Sequence, residues 1–135
     1  MKRVIIFSVM ALLLIACKKV EFEPIGPTDV RIYNSYDINS GKTFENVIVN
    51  TSGGEYNFGT ISPKTTTEYH RFEKSYPKID ISLTINGVRY STKTQDYTYQ
   101  NYLGQVKCTY RVYILNDLTH TLEMEVVYDA PLEGI

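Results

Sequence analysis

The chain has 135 residues, 43% of them hydrophobic, with 14 Lys+Arg against 15 Asp+Glu and a formal net charge of −1. A balance this close to neutral, with no basic run beyond the first few residues, argues against a nucleic-acid partner. The length suits one domain around one core.

At the N-terminus, Lys2 and Arg3 precede an apolar stretch over residues 4–16 that only Ser8 interrupts, the layout of a secretory signal. A membrane-spanning helix needs ~20 apolar residues, and this run ends at Lys18 and Lys19 before reaching that length. Its last residues, Leu14-Ile15-Ala16-Cys17, resemble the lipobox of bacterial lipoproteins: an apolar residue, a tolerant one, a small one, then cysteine. That resemblance implies a signal peptide over 1–16, cleavage before Cys17, and lipid such as palmitate on the Cys17 thiol. The membrane is then a partner through that lipid. Burying acyl chains contributes ~0.8 kcal/mol per CH₂, so the two or three chains of a lipoprotein hold stably. Lys18 occupies the place where an aspartate would resemble the inner-membrane retention signal of enteric bacteria, which favours the outer membrane and leaves periplasmic or surface display open.

Without Lys2 and Arg3, 12 basic side chains face 15 acidic ones, a formal charge of −3 for the processed chain. Lipid on Cys17 leaves Cys108 without a partner in the chain, so no internal disulfide is expected and the apolar core must stabilise the exported domain. Residues 17–28, with Pro24, Gly26 and Pro27, read as the lipidated cysteine and a tether of at most ~35 Å. The domain proper is expected over 29–135.

From there the apolar pattern has period two with no convincing helical stretch. Strands are expected at 29–36 (Val30, Ile32, Tyr36), 43–50 (Phe44, Val47, Val49), 54–61 (Tyr56, Phe58, Ile61) and 65–72 (Thr67, Tyr69, Phe72). Phe44 and Val47 are three apart, and a β-bulge at Glu45-Asn46 would keep both inward. Ile79, Ile81, Leu83 and Ile85 alternate with polar residues, Asn86-Gly87 is the preferred pair for a type I′ turn, and Val88, Tyr90 and Thr92 return. Residues 78–94 are thus expected to form a hairpin. A second is expected where Val106, Cys108, Tyr110, Val112 and Ile114 share a face, Asn116-Asp117 turns, and Leu122, Met124, Val126 and Tyr128 come back. Cys108 reads as a buried small hydrophobe.

Seven or eight short strands in this length predict an all-β, immunoglobulin-like two-layer antiparallel sandwich. The segments Phe44-Glu45-Asn46-Val47-Ile48-Val49, Gly59-Thr60-Ile61-Ser62-Pro63 and Thr67-Glu68-Tyr69 resemble small Bacteroides-type lipoproteins of that architecture. The resemblance covers residues 29 to about 95, implies no activity and carries over no functional residue.

Chemistry-bearing residues are scarce. His70, expected to face solvent opposite a buried Tyr69, and His120, just after the second turn, are the two histidines. No nucleophile elbow, zinc-protease helix, phosphate loop or Cys-x-x-Cys accompanies them. The oxygen-rich segment 34–41 carries one carboxylate, Asp37, where calcium takes six to eight oxygen ligands, and reads as an ordinary turn. No metal, catalytic residue or cofactor is expected. Tyrosine is the compositional excess, 12 residues against five Phe and no Trp. Tyr97, Tyr99 and Tyr102 fall in a polar connection between the hairpins, where a loop on a rigid scaffold can bind a protein, peptide or glycan; the same rings could instead extend a strand and cap the core. The expectation is a non-enzymatic membrane-anchored binding module at the cell envelope, with a structural accessory subunit of a larger envelope complex as the alternative.

Overall fold

The computed structural model describes residues 26–35 and 41–132. The expected signal peptide, Cys17, most of the tether, Tyr36 and Asp37 lie outside the described residues. Within them the chain is all-β, with strands β1 (Thr28–Asn34), β2 (Glu45–Asn50), β3 (Glu55–Asn57), β4 (His70–Phe72), β5 (Asp80–Ile85), β6 (Val88–Ser91), β7 (Val106–Asn116) and β8 (Thr121–Pro131). All eight belong to one sheet in the order β3-β2-β5-β6-β8-β7-β1-β4. The sheet is mixed rather than antiparallel throughout. β1 runs parallel to β7 from Asp29↔Lys107 to Asn34↔Val112, and β6 meets β8 in parallel at Ser91↔Thr121. Side chains alternate identically on parallel and antiparallel strands, so their spacing carries no sign of strand direction.

The sheet curls into a nearly closed, barrel-like form around one core. Val47 and Val49 of β2, Ile81, Leu83 and Ile85 of β5, Val30 and Ile32 of β1, Cys108, Tyr110 and Val112 of β7, and Leu122 and Met124 of β8 all point into it. Both expected hairpins form. Asn86 (φ 50°) and Gly87 (φ 80°) are left-handed at the β5–β6 turn, as a type I′ turn requires. The bulge is present too. β2 shifts register against β5 between Glu45 and Ile48, Asn46 takes φ 50°, and Phe44 and Val47 are both fully buried.

Three local expectations are corrected. The β7–β8 connection is a four-residue turn, Asp117 to His120, rather than two residues; Asn116 Oδ1 accepts from the Leu118 and Thr119 amides at 2.9 and 3.2 Å, drawing the wider turn together. The strands expected at 54–61 and 65–72 shorten to three residues each, and the chain between touches the sheet only at the bridges Phe44↔Ile61 and Tyr33↔Thr66. In β4, His70 and Phe72 share the inward face, which turns Tyr69 outward. There its ring lies 4.7 Å under the Arg31 guanidinium and its hydroxyl donates to Asp129 at 2.7 Å. Phe72 is the larger apolar group of β4, and a strand buries one parity only.

β3 and β4 are the two ends of the sheet, and side chains close the seam between them. Tyr56 of β3 stacks on His70 of β4 at 3.7 Å with 8° between the planes, flanked by Phe58 and Phe72 edge-on. At one end of this seam Thr51 Oγ1 donates to the Lys74 carbonyl at 2.8 Å, and a Cβ on Gly53 would come within 2.9 Å of the Lys74 backbone.

The registers also define two ends of the molecule. The start of β1 lies beside the end of β4 and the start of β7, and the ends of β2 and β8 lie beside the starts of β5 and β7. The β5–β6 and β7–β8 turns lie together at the opposite end.

Candidate functional site

Residues 95–104 cross the end of the molecule where β1 starts. Asp80 Oδ1 accepts from the Gln95 amide at 2.9 Å. Gln100 grips Lys78 twice, accepting from its amide at 2.9 Å and donating to its carbonyl at 3.1 Å, in imitation of a strand pairing. The Leu103 amide donates to the Ser75 carbonyl at 3.0 Å, and Leu103 is buried. Between these fastenings Tyr97–Tyr99 form a single 3₁₀ turn, not a strand extension, capped by the Asp96 carboxylate accepting from the Thr98 amide.

The three candidate tyrosines occupy different environments. Tyr97 is half-buried, its ring 4.6 Å from Tyr76, and its hydroxyl donates to the Asn50 carbonyl at 3.0 Å, with the Asp80 amide and carboxylate each at 3.2 Å. Burial first, and then the Asp80 charge, hold that phenol well above its usual range. Tyr102 packs on the other side of Tyr76 at 5.1 Å, with the Lys74 ammonium 5.4 Å from its ring centre. Tyr76 is raised by burial and by the Tyr102 hydroxyl beside it. Tyr99 makes no such contact and is 90% exposed. Tyr76 is thus the residue on which the segment is assembled. Its position within Ser75-Tyr76-Pro77, outside any alternating pattern, left it without a sequence signal.

Asn50 and Asp80, which hold the Tyr97 hydroxyl, also border a polar groove of about 310 Å³ on the outer face of β2, β5 and β6. Ile48, Asn50, Asp80, Ser82, Arg89 and Ser91 are among its walls. Arg89 forms no ion pair or hydrogen bond with the described residues, so its guanidinium is available to a ligand. The alternation of β5 places Asp80 and Ser82 outward; that β6 adds Arg89 beside them follows from the Thr84↔Arg89 register.

His70 is held by Tyr56, and His120 lies at a left-handed position (φ 54°) with its ring 4.8 Å from Tyr90. Neither imidazole meets a carboxylate or serine hydroxyl among the described residues. Of the two acids three residues from His120, Asp117 accepts from the Tyr90 hydroxyl at 2.5 Å and Glu123 pairs with Lys78 at 3.0 Å. Asn34, at the start of the oxygen-rich loop, is buried and donates to the carbonyls of Lys42 and Ile61 at 3.1 and 3.0 Å; the loop's middle residues lie outside the described ones. Among the described residues no three His, Cys, Asp or Glu side chains gather as metal ligands would. Cys108 is fully buried as expected; burial and the Asp129 charge push its thiol up to about 12.

No protein-family model matches the sequence, and no curated protein matches it. Among solved structures, the chain is similar to an NMR structure of a protein from Eubacterium rectale, with 13% identity and a TM-score of 0.43 over 81% of this chain and 94% of that one.

Proposed function

We propose that this protein is a lipid-anchored, non-enzymatic binding module of the bacterial cell envelope. Acyl chains on Cys17 hold it on the outer membrane, and the groove over β2, β5 and β6, with the adjoining Tyr97 segment, takes a protein, peptide or glycan. The observation that carries the anchoring is Leu14-Ile15-Ala16-Cys17 at the end of an apolar run preceded by Lys2 and Arg3. Support for binding comes from the Arg89 guanidinium, which has no partner among the described residues, and the hydroxyls of Ser82 and Ser91 in a groove bordered by Asp80 and Asn50, the partners of Tyr97, since a few placed polar groups on a rigid scaffold are what recognition needs. A single residue pair joins β6 to β8 where ten join β7 to β8. That contrast supports reading the curled sheet as two four-stranded layers in an immunoglobulin-like sandwich.

The test of anchoring is metabolic labelling with a palmitate analogue in a bacterial host. The full chain should take up label and fractionate with the outer membrane, while Cys17→Ser should lose the label and accumulate uncleaved. An unlabelled, soluble wild-type product would overturn the reading.

A second reading, an accessory subunit docked to a larger envelope complex, is favoured by Leu118 and Val88, which are 93% and 41% exposed at the β7–β8 and β5–β6 turns. A stoichiometric partner that survives mild detergent extraction and is lost on Leu118→Asp would support it.

A further inference from the structure

We propose that the 3₁₀ turn bearing Tyr99 docks against the lipid headgroups of the membrane to which the chain is tethered. The proposal rests on the lipid-anchored reading of Cys17 and adds a second, non-covalent contact with the same membrane.

Three observations converge. The chain enters the domain at the same end as the turn. A Cβ on Gly26 would lie 2.8 Å from the Gln105 side chain, and Thr28 Oγ1 donates to the Gly104 carbonyl at 2.6 Å, so residues 26–28 are fastened to the end of the tyrosine segment. Nine peptide steps separate Cys17 from Gly26 and reach at most about 32 Å. β7 is 11 residues long, so the hairpin turn with Leu118 stands about 35 Å along that strand from Val106, which follows Gly104 by two residues. The segment carrying Tyr99 is therefore fastened at Gly104 to the point where the anchor enters the domain.

The second observation is how the side chain is presented. Tyr97 and Tyr102 pack against Tyr76 and Gln100 clamps Lys78, so the turn between them is fixed while Tyr99 alone projects, 90% exposed. A phenol is apolar along its ring and polar at its tip, which suits the headgroup level where tyrosine concentrates in membrane proteins. A single ring would bind free protein weakly, but the tether makes the contact intramolecular and raises its effective concentration to the millimolar range.

The third is charge. The Lys74 ammonium lies over the Tyr102 ring, but the Asp96 carboxylate caps the Tyr99 turn itself and Glu73 adjoins Lys74 in the chain. The surface there is mixed rather than basic, so the contact is the ring's and should not depend on anionic lipid or on low salt.

The chain contains no tryptophan, which makes a single introduced one a clean reporter. The processed chain, residues 17–135, is coupled through Cys17 to a maleimide lipid in phosphatidylcholine vesicles; buried Cys108 does not compete. Tyr99→Trp emission should shift to the blue on coupling and be quenched by headgroup-spin-labelled lipid roughly twofold more than Leu118→Trp. The difference should persist in ~1 M salt, where the screening length is about 3 Å. Both positions are above 90% or at 90% exposure, and unchanged urea midpoints verify that each variant folds. Equal quenching at the two positions, stronger quenching at 118, or no spectral shift on coupling would overturn the docking. Because the anchor is supplied chemically, those results are independent of palmitate labelling in cells, whose failure would overturn the anchoring instead.

Discussion

Burial decides the chemistry of single residues here. Cys108 sits between Val106 and Tyr110 on the inward face of β7, and its thiol rises from 9.0 to about 12 because burial and the nearby Asp129 carboxylate both oppose the thiolate. A group whose folded pKa is raised in this way keeps its proton in the folded state while the unfolded chain loses it. Stability from this source is therefore intact below pH 9 and falls as pH climbs from 9 towards 12. The loss should reach on the order of 1 kcal/mol by pH 10, and Cys108→Val should flatten that part of the profile in urea-midpoint measurements at pH 8, 9 and 10. Tyr69, raised to about 12 mainly by burial and its bond to Asp129, adds to the decline only above its own ordinary pKa of 10.0. The inward placement of Cys108 is readable from alternation alone. The difference between Tyr97 and Tyr99 is not, because both belong to one short turn and only the distant Tyr76 ring decides which of them is covered.

Elements follow the sequence closely where local chemistry is strong. The Asn86-Gly87 turn needs two left-handed residues, and both are present. A Cβ on Gly87 would meet nothing within 4 Å, so Gly87→Ala carries the backbone cost alone: about 1–2 kcal/mol, read as a lower urea midpoint, with Asn86→Gly close to neutral. The bulge at Glu45-Asn46 is legible for a related reason, since two large apolar residues three apart cannot both face inward on a regular strand. β4 was harder. Tyr69 and Phe72 have opposite parity, each has a ring large enough to fill the core, and the outward position is settled by Arg31, Lys107 and Asp129, which other strands bring to Tyr69.

At the scale of the molecule, closure depends on the seam between β3 and β4. These strands have no backbone pairing with each other, so rings and a tight backbone approach hold the two ends of the sheet together. Gly53→Ala would drive a methyl into the Lys74 side chain and within 2.9 Å of its backbone. Overpacking of this kind costs about 1–3 kcal/mol, and hydrogen exchange should accelerate in β3 and β4 while β7 and β8 stay protected, because each of the latter has partners on both sides. The polarity of the whole, with the chain entering beside Gly104 at the end of the tyrosine segment and Leu118 in the turn that follows β7, follows from the parallel β1–β7 pairing. By itself the sequence determined that the chain is all-β, where its two hairpins turn, which faces of β5 and β7 are buried, and that β2 carries a bulge, because each is set by residues within a few positions of one another. Only the tertiary structure decided the strand order, the two parallel pairings, the seam and the isolation of Tyr99. These depend on contacts such as Tyr56 with His70 and Tyr76 with Tyr97 and Tyr102, between segments whose spacing along the chain carries no record of their meeting.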